Sequence, residues 1–414
     1  MTQTRSLATG VCITGGGPCG VMLGVLLARA GVDAIVLEKY PDFFRDFRGD
    51  TVHPSTLELL YELGWLDDFL ALRHDEFQTA SVNIAGEPVQ VADLSHLRTH
   101  CKFVALMPQW DFLNFLAQHG RRYPTFHLRM ATEGIGLLAS GGRVTGVRAR
   151  SADGEVEISA KLVVGADGRH STIRNLAGFA VKELGAPMDI LWMRISKNAT
   201  DPTMQLGWVR TGHMVILLDR GDYWQCAYLI PKGSFAALQA EGIDALRRGL
   251  AQTVPMLRDR VAQLDWSKVS MLDVRVDRLD LWHKPGLLCI GDAAHAMSPI
   301  GGIGINLAVQ DAVATANILA ETLRAGNSPG EAELQRIADR RMFPTKATQA
   351  FQTFVQDRAI APLMAGAPVT APPLAARLFD EFPWLRRLPA RLIGVGVRPE
   401  HVRTPDAFAG AAGG

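Results

Sequence analysis

The first forty residues contain two apolar runs with a glycine-rich turn between them. A run that ends at Thr14 is followed by Gly15-Gly-Gly-Pro-Cys-Gly20, by apolar and small residues at helical spacing as far as Gly31, and by a second run, Ala34–Leu37. Short apolar runs are typical of buried strands, and a 3.6-residue spacing is typical of a helix. The pattern therefore predicts a strand, a tight turn, a helix and a second strand.

Proline and glycine mark the ends of the next predicted elements. The apolar spacing predicts a helix over Ser55–Leu63, with Pro54 before it, and a second helix over Gln109–His119. Alternating apolar and polar residues predict a hairpin over Phe77–Leu94. Two β-prone runs, Val144–Ala149 and Val156–Ile158, predict another hairpin because an Asp-Gly turn lies between them.

The segment from Ala186 to Asp277 has the highest density of β-prone and aromatic residues. One helical stretch, Ile243–Thr253, interrupts it. The regular alternation of strands and helices stops here, so we predict an antiparallel sheet that belongs to a second domain. Its predicted strands are Ile190–Ile195, Met204–Val209, His213–Leu218, Tyr223–Ile230 and Val269–Val276.

An apolar strand over Gly286–Ile290 and an Ala-rich helix through Leu323 then return the chain to the first domain. A helical tail is predicted to about residue 394, and residues 409–414 are expected to fray. The predicted fold class is α/β. A discontinuous Rossmann-like domain comprises residues 1–76, 100–182 and 278–340, an inserted antiparallel β-sheet domain comprises 77–99 and 183–277, and a C-terminal helical segment comprises 341–414.

The amino-acid composition limits which binding partners and which cellular compartment we expect. The 414 residues include 43 basic and 42 acidic side chains, for a net charge of +1, which argues against nucleic acid as a partner. The five cysteines form no CxxC pair and indicate a reducing compartment. The first strand leaves no room for a signal peptide, and there is no long apolar run. We therefore expect a cytoplasmic protein with no integral membrane segment.

The glycines of the first unit have distinct expected roles. Gly15 permits a sharp turn, Gly17 lets backbone N–H groups approach a pyrophosphate, and Gly20 lets the helix pack closely on the sheet. Glu38 ends the second strand, where a carboxylate accepts both ribose hydroxyls of an adenosine and repels a 2′-phosphate. The unit predicts bound FAD or NAD rather than NADP.

Two later segments decide between these nucleotides. Residues 162–174 run from an apolar strand into Gly165-Ala-Asp-Gly168, and residues 287–311 run from a strand through Gly291-Asp292 into a second glycine cluster. In this order, the three units closely resemble the FAD-dependent aromatic hydroxylases, single-component flavoprotein monooxygenases such as p-hydroxybenzoate hydroxylase and the ubiquinone-biosynthesis hydroxylases. The resemblance covers about residues 10–325. It implies that the first domain binds FAD and that the inserted sheet binds substrate.

The resemblance also implies roles for individual residues. Asp292 would bind the ribityl chain and Asp167 the pyrophosphate region, with a helix cap as the alternative for each. The loop of Pro299, Gly301 and Gly302 would face the flavin edge that becomes negative on reduction, and is the catalytic candidate. The predicted cofactor-binding residues are Gly15, Gly17, Pro18, Cys19, Gly20, Glu38, Lys39, Arg45, Arg48, Gln109, Asp167, Gly291, Asp292, Pro299, Gly302, Gly304, Ile305 and Asn306.

Several of these positions have a second interpretation. Arg48 matches a family arginine that positions the flavin better than Arg45 does, and a solvated basic turn is the alternative. Gln109 matches a family glutamine that contacts the ribityl or phosphate region, or is a polar residue at a helix start. His53 would lie near the flavin or cap a loop. We expect FAD to be bound non-covalently. Cys19 is expected to be a passive small residue.

The inserted sheet supplies the substrate candidates. They are Trp192, Arg194, Trp208, His213, Trp224 and Tyr228. Strand alternation can place Trp192 and Arg194 on one face, where a ring and a cation can frame a phenol or carboxylate. Core packing is the alternative for each. His295 has no second histidine at ligand spacing, so no metal site is expected.

The predicted function is an FAD-dependent monooxygenase that hydroxylates a small aromatic or quinone-like substrate. By resemblance, NADPH or NADH is a transient reductant, and O2 reacts through a flavin C4a-hydroperoxide. Two alternatives stay open: an FAD-dependent reductase of an unsaturated substrate, and a non-catalytic flavin-bound interaction protein. A flavin halogenase is disfavoured, because the sequence that starts at Trp192 lacks the Trp-x-Trp-x-Ile-Pro pattern. We expect a monomer or homodimer.

Overall fold

The computed structural model describes residues 5–44, 51–201 and 206–410. Helices and strands combine in a mixed α/β fold, as the sequence predicts. The strands are β1 (Arg5–Thr14), β2 (Ala34–Leu37), β3 (Thr51–Val52), β4 (Asp75–Phe77), β5 (Thr79–Ile84), β6 (Glu87–Asp93), β7 (Val104–Leu106), β8 (Phe126–Arg129), β9 (Glu133–Ser140), β10 (Arg143–Ser151), β11 (Gly154–Gly165), β12 (Val181–Glu183), β13 (Met188–Ser196), β14 (Leu206–Arg210), β15 (His213–Asp219), β16 (Tyr223–Pro231), β17 (Ser270–Leu272), β18 (Asp277–Leu279), β19 (His283–Lys284) and β20 (Leu287–Cys289).

The helices follow the predicted positions closely where the apolar spacing is regular. They are α1 (Pro18–Arg29), α2 (Pro54–Glu62), α3 (Leu66–Leu70), α4 (Gln109–Gly120), α5 (Thr172–Leu176), α6 (Phe235–Glu241), α7 (Ile243–Thr253), α8 (Gly304–Arg324), α9 (Glu331–Val355), α10 (Ala361–Met364), α11 (Leu374–Glu381) and α12 (Arg387–Gly394). A π-helical turn, Gln356–Ile360, joins α9 to α10.

The larger sheet has the strand order β19-β20-β11-β1-β2-β8, and β9 and β10 extend it beside β11. The pairs that involve β1, together with β2–β8 and β11–β20, are parallel. Helix α1 packs so closely on this sheet that a Cβ at Gly24 would lie 2.4 Å from Val36 Cγ2. This close approach requires the small-residue face of α1, and α1 and α8 together form the centre of the largest apolar core.

The second sheet has the order β17-β13-β16-β15-β14-β5-β6. Its pairs are antiparallel except β14–β5, which is parallel. The predicted strand Val269–Val276 is reduced to Ser270–Leu272, because Asp277 and Leu279 pair with β12 in a separate two-stranded sheet. The first residues of the predicted strand Met204–Val209 lie outside the described part of the chain.

Helix α9 crosses the boundary predicted at residue 340. It buries Leu334 and Ile337 in the core of the first sheet, and Gln349 and Gln352 against the segment from Ala296 to Ile300. Among the described residues, the helical stretch Ile300–Arg324 alone is long and apolar enough to cross a membrane. Seventy-eight per cent of its apolar window is buried inside the protein.

Candidate functional site at the carboxyl edge of the parallel strands

Four adjacent parallel strands end at the same level of the larger sheet. Thr14 at the end of β1 pairs with Leu37 of β2 and with Gly165 of β11, and Gly165 pairs with Cys289 of β20. Each strand runs directly into one of the motifs found in the sequence. Because ligands of open α/β sheets bind outside the carboxyl ends of the strands, this edge is the candidate site.

The first glycine loop has one open position between two crowded ones. At Gly15, where φ is +105°, a Cβ would lie 2.3 Å from the Ala166 carbonyl oxygen, and at Gly20 it would lie 1.9 Å from the Gly15 oxygen. At Gly17 a Cβ would meet nothing within 4 Å among the described residues. The N-terminus of α1, with Pro18 and Cys19 in its first turn, therefore faces free space where a phosphate fits.

Glu38 lies beside this loop, and its role as a ribose ligand stays a prediction. Its Oε2 accepts a hydrogen bond from the Gly16 N–H at 3.1 Å, and its Oε1 accepts one from the Tyr40 N–H at 3.0 Å. Lys39 is exposed, with its Nζ 5.0 Å from the Tyr40 ring centroid. Arg129, which the sequence analysis missed, pairs with Leu37 and has a buried Nε without a hydrogen-bond partner among the described residues.

The Asp167 carboxylate lies at the N-terminal end of the short helix α5, whose N-cap residue is Ser171. Its carboxylate accepts hydrogen bonds from Ser171 Oγ and, at 3.1 Å, from the Ile173 N–H. Burial raises the pKa of Asp167, and these hydrogen bonds oppose that shift. Its contacts match the helix-cap interpretation, and its role at a pyrophosphate stays a prediction.

Asp292 is half-buried at the end of β20 and near the first glycine loop. Its Oδ2 accepts a hydrogen bond from Arg169 Nη2 at 3.3 Å. The adjacent Gly291 has a φ of +59°, and a Cβ there would lie 3.1 Å from Cys19 Sγ. The tertiary structure therefore brings together the Gly-Asp motif and the first glycine loop, which are far apart in the sequence.

A buried ionic network supports the Gly291 turn from behind. Asp311 Oδ2 accepts the Gly291 N–H at 3.0 Å and lies 2.5 Å from His295 Nε2, while Asp311 Oδ1 accepts Arg341 Nε at 2.8 Å. Burial raises the pKa of Asp311, but His295 and Arg341 outweigh this effect and lower it. His295 is thus a hydrogen-bond partner of Asp311, and among the described residues no group of side chains is suited to hold a metal ion.

The second glycine loop, Pro299 to Gly304, has a backbone that glycine permits. Gly301 and Gly302 have φ values of +75° and +65°, and a Cβ at Gly302 would lie 2.6 Å from Thr51 Oγ1. Gly304 and Ile305, both half-buried, begin α8. The loop therefore approaches the segment after residue 50 very closely.

Asn306 has an unused donor in this loop. Its Oδ1 accepts hydrogen bonds from the His53 N–H at 3.1 Å and from Thr56 Oγ1 at 2.7 Å. Its buried Nδ2 has no hydrogen-bond partner among the described residues. A buried amide donor without an acceptor is costly. A cofactor carbonyl or hydroxyl would supply this acceptor.

Three glutamines of α9 and the π-helical turn after it hold the segment that leads into this loop, and sequence analysis missed them. Gln352 donates to the carbonyls of Ser298 and Ile300 at 2.9 and 3.0 Å and accepts the Ser298 N–H at 3.1 Å. Gln356 donates to Ser298 Oγ at 3.0 Å, and Gln349 donates to the Ala296 carbonyl at 3.3 Å. Their i, i+3, i+7 spacing, on one face of a helix, is the only signal in the sequence.

The remaining predicted cofactor residues are less informative. His53 is buried, its Nδ1 lies 2.8 Å from the Ile393 carbonyl oxygen, and burial lowers its pKa to about 4. Gln109 is half-buried and begins α4. Arg45 and Arg48 lie outside the described residues.

The second sheet separates the six predicted substrate residues onto two faces. Trp192 packs with the apolar cluster that includes Ile300 of the glycine loop. Arg194, two positions on in the same strand, shares this inner face and lies 5.0 Å from the Tyr223 ring. The other four residues belong to the outer face, which α7 covers: Trp208, His213, Trp224 and Tyr228.

This placement divides the predicted substrate residues between the two faces of the sheet. His213 Nδ1 lies 2.6 Å from the Tyr228 hydroxyl, and Trp224 donates to Asp201 Oδ2 at 2.8 Å, so these side chains have partners within the outer layer. The physical reason is the two-residue period of a strand, which separates neighbouring positions onto opposite faces. Trp192 and Arg194 lie on the face towards the glycine loop, and substrate contact stays a prediction for all six residues.

The residues present fit an FAD molecule. Open space lies in front of α1, a carboxylate lies at the end of β2, and a buried amide donor points into the second loop without a partner among the described residues. These features match the phosphate, ribose and ring portions of a flavin dinucleotide.

Comparisons with known proteins agree with this geometry. A family model described as "FAD binding domain" matches residues 8–350. The chain is 31% identical to 6-methylpretetramide 4-monooxygenase from Streptomyces rimosus, over 97% of this chain and 95% of that protein. It is 27% identical to para-nitrophenol 4-monooxygenase from Pseudomonas sp. strain WBC-3, over 81% and 83% of the two chains.

Solved structures share the fold. The anhydrotetracycline hydroxylase OxyS from Streptomyces rimosus superposes with a TM-score of 0.74 at 23% identity, over 94% of this chain and 76% of that chain.

Proposed function

The chain belongs to the FAD-binding-domain family, and from this premise we propose that it is an FAD-dependent monooxygenase that hydroxylates an aromatic or quinone-like substrate with NAD(P)H and O2. The observation that carries the proposal is the alignment of four strand ends, which brings the glycine loop, Glu38, Asp167 and Asp292 to one edge of the sheet. Relatives named as monooxygenases of aromatic compounds support the reaction type.

We assign the parts of FAD to the two glycine loops. The N–H groups around Gly17 would bind the pyrophosphate, and Glu38 the adenosine ribose. Asp292 and Asn306 would bind the ribityl chain and the ring edge. When bound, FAD supplies electron transfer from NAD(P)H and activation of oxygen. The residues of this chain supply binding, orientation and a dry, shaped space.

The Pro299–Gly304 loop would stabilise negative charge on the reduced ring. Backbone N–H groups at the start of α8 are electropositive, and the dipole of that helix adds to them. Gln352 fixes the loop before the ring arrives, because its amide holds both Ser298 and Ile300. A fixed donor needs no reorganisation during the reaction, which is the main source of such stabilisation.

Substrate would bind between this loop and the inner face of the second sheet. That face is apolar and methionine-rich, and it contacts both the loop residue Ile300 and the π-helical turn. Its members are Met188, Ile190, Trp192, Met214, Ile216, Ala227, Leu229 and Val274, with Ile360 and Met364 opposite. Apolar walls would exclude water during oxygen transfer, and flexible methionines accommodate flat rings. Arg194 would face a phenol or carboxylate oxygen at one end.

We also propose the domain boundaries predicted from the sequence. They divide the chain into an FAD-binding domain, an inserted substrate-binding sheet and a C-terminal helical segment. A cytoplasmic location and a monomeric or homodimeric state also stay predictions. None of these affects the reaction proposed.

The test is substrate-stimulated oxidation of NAD(P)H by the purified yellow protein. A panel of phenols, hydroxylated naphthalenes and larger fused aromatics should include compounds that accelerate NAD(P)H loss, consume O2 and gain one oxygen atom from ¹⁸O2. A saturated product formed without O2 would indicate the reductase alternative. Bound flavin with no stimulated oxidation by any substrate would indicate the interaction protein.

A further inference from the structure

The C-terminal helices carry an unusual number of exposed apolar side chains. Five of the fifteen large apolar residues that are exposed in the described part of the chain fall within fifteen consecutive positions. We call them the C-terminal apolar face, which comprises Leu374, Leu378, Phe382, Trp384 and Leu388. Leu374, Leu388 and Trp384 are 80%, 61% and 58% exposed. Scattered exposed leucines need no explanation, but a contiguous group marks an interaction surface.

This face is a second apolar surface on helices that have already buried one. Helix α11 and helix α12 both pack on β6, and Ala376 and Ala390 are buried there. Ala390 belongs to a core cluster with Leu94 and Leu97. An amphipathic helix needs one apolar face to dock on its own protein. The outer face is therefore available to a partner.

The helices that carry the face are firmly attached. Arg386 donates to Gln90 Oε1 of β6 at 2.7 Å and to Asp380 Oδ1 of α11, also at 2.7 Å. His53 contacts the Ile393 carbonyl oxygen of α12 at 2.8 Å. The apolar face is thus presented on an ordered platform beside the edge strand of the second sheet.

The charges around the face are mainly positive. Residues 374–391 contain four arginines and two acidic residues, although the whole chain has a net charge of only +1. Asp380 is paired with Arg386, and Arg377, Arg387 and Arg391 are exposed. Leu374 and Leu378 are four residues apart, so they lie along one side of α11, and Phe382 follows directly after that helix.

We propose that the C-terminal apolar face binds the surface of an anionic lipid bilayer. A ridge of leucine, phenylalanine and tryptophan flanked by arginines is the composition of a helix that lies in a membrane interface. Apolar side chains enter the boundary between headgroups and acyl chains, and each nearby arginine adds attraction to an anionic surface. A second copy of this chain is a poorer partner, because an isologous contact would bring the two arginine groups together.

This surface would serve an apolar aromatic substrate, which concentrates in lipid. That use rests on the proposed monooxygenase function, whereas binding to the bilayer does not. The two ideas therefore fail separately. Vesicle binding by a protein that hydroxylates no aromatic compound would leave this inference intact and overturn the proposed function.

The experiment is co-sedimentation of the full-length, flavin-loaded protein with vesicles of phosphatidylcholine, alone or mixed with phosphatidylglycerol. We expect several-fold stronger binding to the anionic vesicles, and weaker binding in high salt. The variant Leu374→Ser/Trp384→Ser/Leu388→Ser should bind at least about tenfold less strongly. Arg387→Gln/Arg391→Gln should lose most of the preference for anionic vesicles while keeping weak binding to neutral ones.

The matched control places serine at three exposed apolar positions elsewhere: Leu176→Ser/Leu281→Ser/Phe343→Ser, whose native residues are 50%, 50% and 56% exposed. This control should bind vesicles like the unmodified protein. Thermal unfolding and FAD affinity should be unchanged in all variants. Equal binding by the face variant and the control would overturn the proposal. So would a dimer in solution that only the face variant converts to monomer.

Discussion

Gln352 and Ser298 are hydrogen-bonded in both directions. Gln352 Oε1 accepts the Ser298 N–H at 3.1 Å, and Gln352 Nε2 donates to the Ser298 carbonyl oxygen at 2.9 Å. One buried amide side chain thus satisfies both backbone groups of the residue that precedes Pro299, from a position 54 residues away in sequence. The C-terminal half of the chain therefore shapes a loop that sequence motifs assign to the flavin alone.

Replacing Gln352 tests this relationship. Gln352→Leu leaves a buried N–H and two carbonyls without partners, and each costs about 1–3 kcal/mol. We expect the free energy of unfolding to fall by at least about 3 kcal/mol in urea titrations. We also expect more NAD(P)H to be consumed per product. The exposed residue Gln263 provides the control variant Gln263→Leu, and equal effects of both would contradict the assignment.

Alanine at Gly17 and alanine at Gly20 should have different effects, the first on FAD binding and the second on folding. Gly17→Ala adds a methyl where nothing lies within 4 Å, at an ordinary φ of −75°. The free energy of unfolding of the FAD-free variant should lie within about 0.5 kcal/mol of that of the unmodified protein. FAD affinity, followed by flavin fluorescence, should fall about tenfold or more because the methyl enters the pyrophosphate space.

Gly20→Ala is the contrasting variant. Its methyl would lie 1.9 Å from the Gly15 carbonyl oxygen, so the turn must distort and the protein should express poorly or unfold early. If Gly17→Ala binds FAD normally, the pyrophosphate lies elsewhere.

Trp192 and Trp224 lie on opposite faces of the second sheet and should respond differently to truncation. Trp224 is fully buried, so Trp224→Ala should cost about 3–5 kcal/mol of stability and change KM little in the protein that remains folded. Trp192→Ala should raise KM for the aromatic substrate about tenfold with a smaller stability loss. Steady-state kinetics and urea unfolding of both variants check this. The reverse pattern would place the substrate on the outer face.

His53 should make stability depend on pH below neutrality. Burial lowers its pKa to about 4 in the folded protein, against about 6.5 when unfolded. The unfolded state then binds the proton more readily. The contribution of neutral His53 to the free energy of unfolding is therefore complete above pH 6.5. Up to about 3 kcal/mol of it is lost as the pH falls towards 4.

The variant His53→Asn keeps a donor for the Ile393 carbonyl but does not titrate. We expect a shallower decline of Tm between pH 6.5 and 4, with some slope left because burial also lowers the pKa of His119 to about 4. The exposed His127 gives the control variant His127→Asn. An unchanged slope in His53→Asn would show that this group does not titrate as described.

Arg341 neutralises two buried carboxylates. It is fully buried and pairs with Asp311 at 2.8 Å and with Glu400 at 3.2 Å. Arg341→Met should lower stability by about 3–5 kcal/mol, because it removes the arginine from the buried Asp311 carboxylate and leaves it only the Gly291 N–H and His295. Adding Asp311→Asn should recover part of this loss in a double-mutant cycle. Strict additivity of the two changes would show that the pair does not interact.

Local patterns were sufficient to predict most of the elements. Glycine and proline residues near the helix ends, together with apolar spacing, predicted α2 and α4 to within one or two residues. The helix Ile243–Thr253 was predicted with its observed bounds. These predictions succeed because turn conformations and apolar periodicity depend on residues that are close in sequence. The strand predicted over Val269–Val276 was too long, because the chain leaves the second sheet after Leu272 and pairs again only from Asp277, in another sheet.

The positions of Gly15, Glu38, Asp167 and Asp292 at strand ends could be predicted from the sequence alone, since each follows an apolar run whose type is locally encoded. The contacts between distant groups could be found only in the folded protein: Cys19 with Gly291, Gln352 with Ser298, and Arg341 with Asp311. The same is true of Trp224 and Tyr228, which pack on the side of α7 rather than on the side of the second glycine loop. The physical reason is that a residue's own sequence fixes its backbone preference, whereas its neighbours in space depend on how separate elements pack.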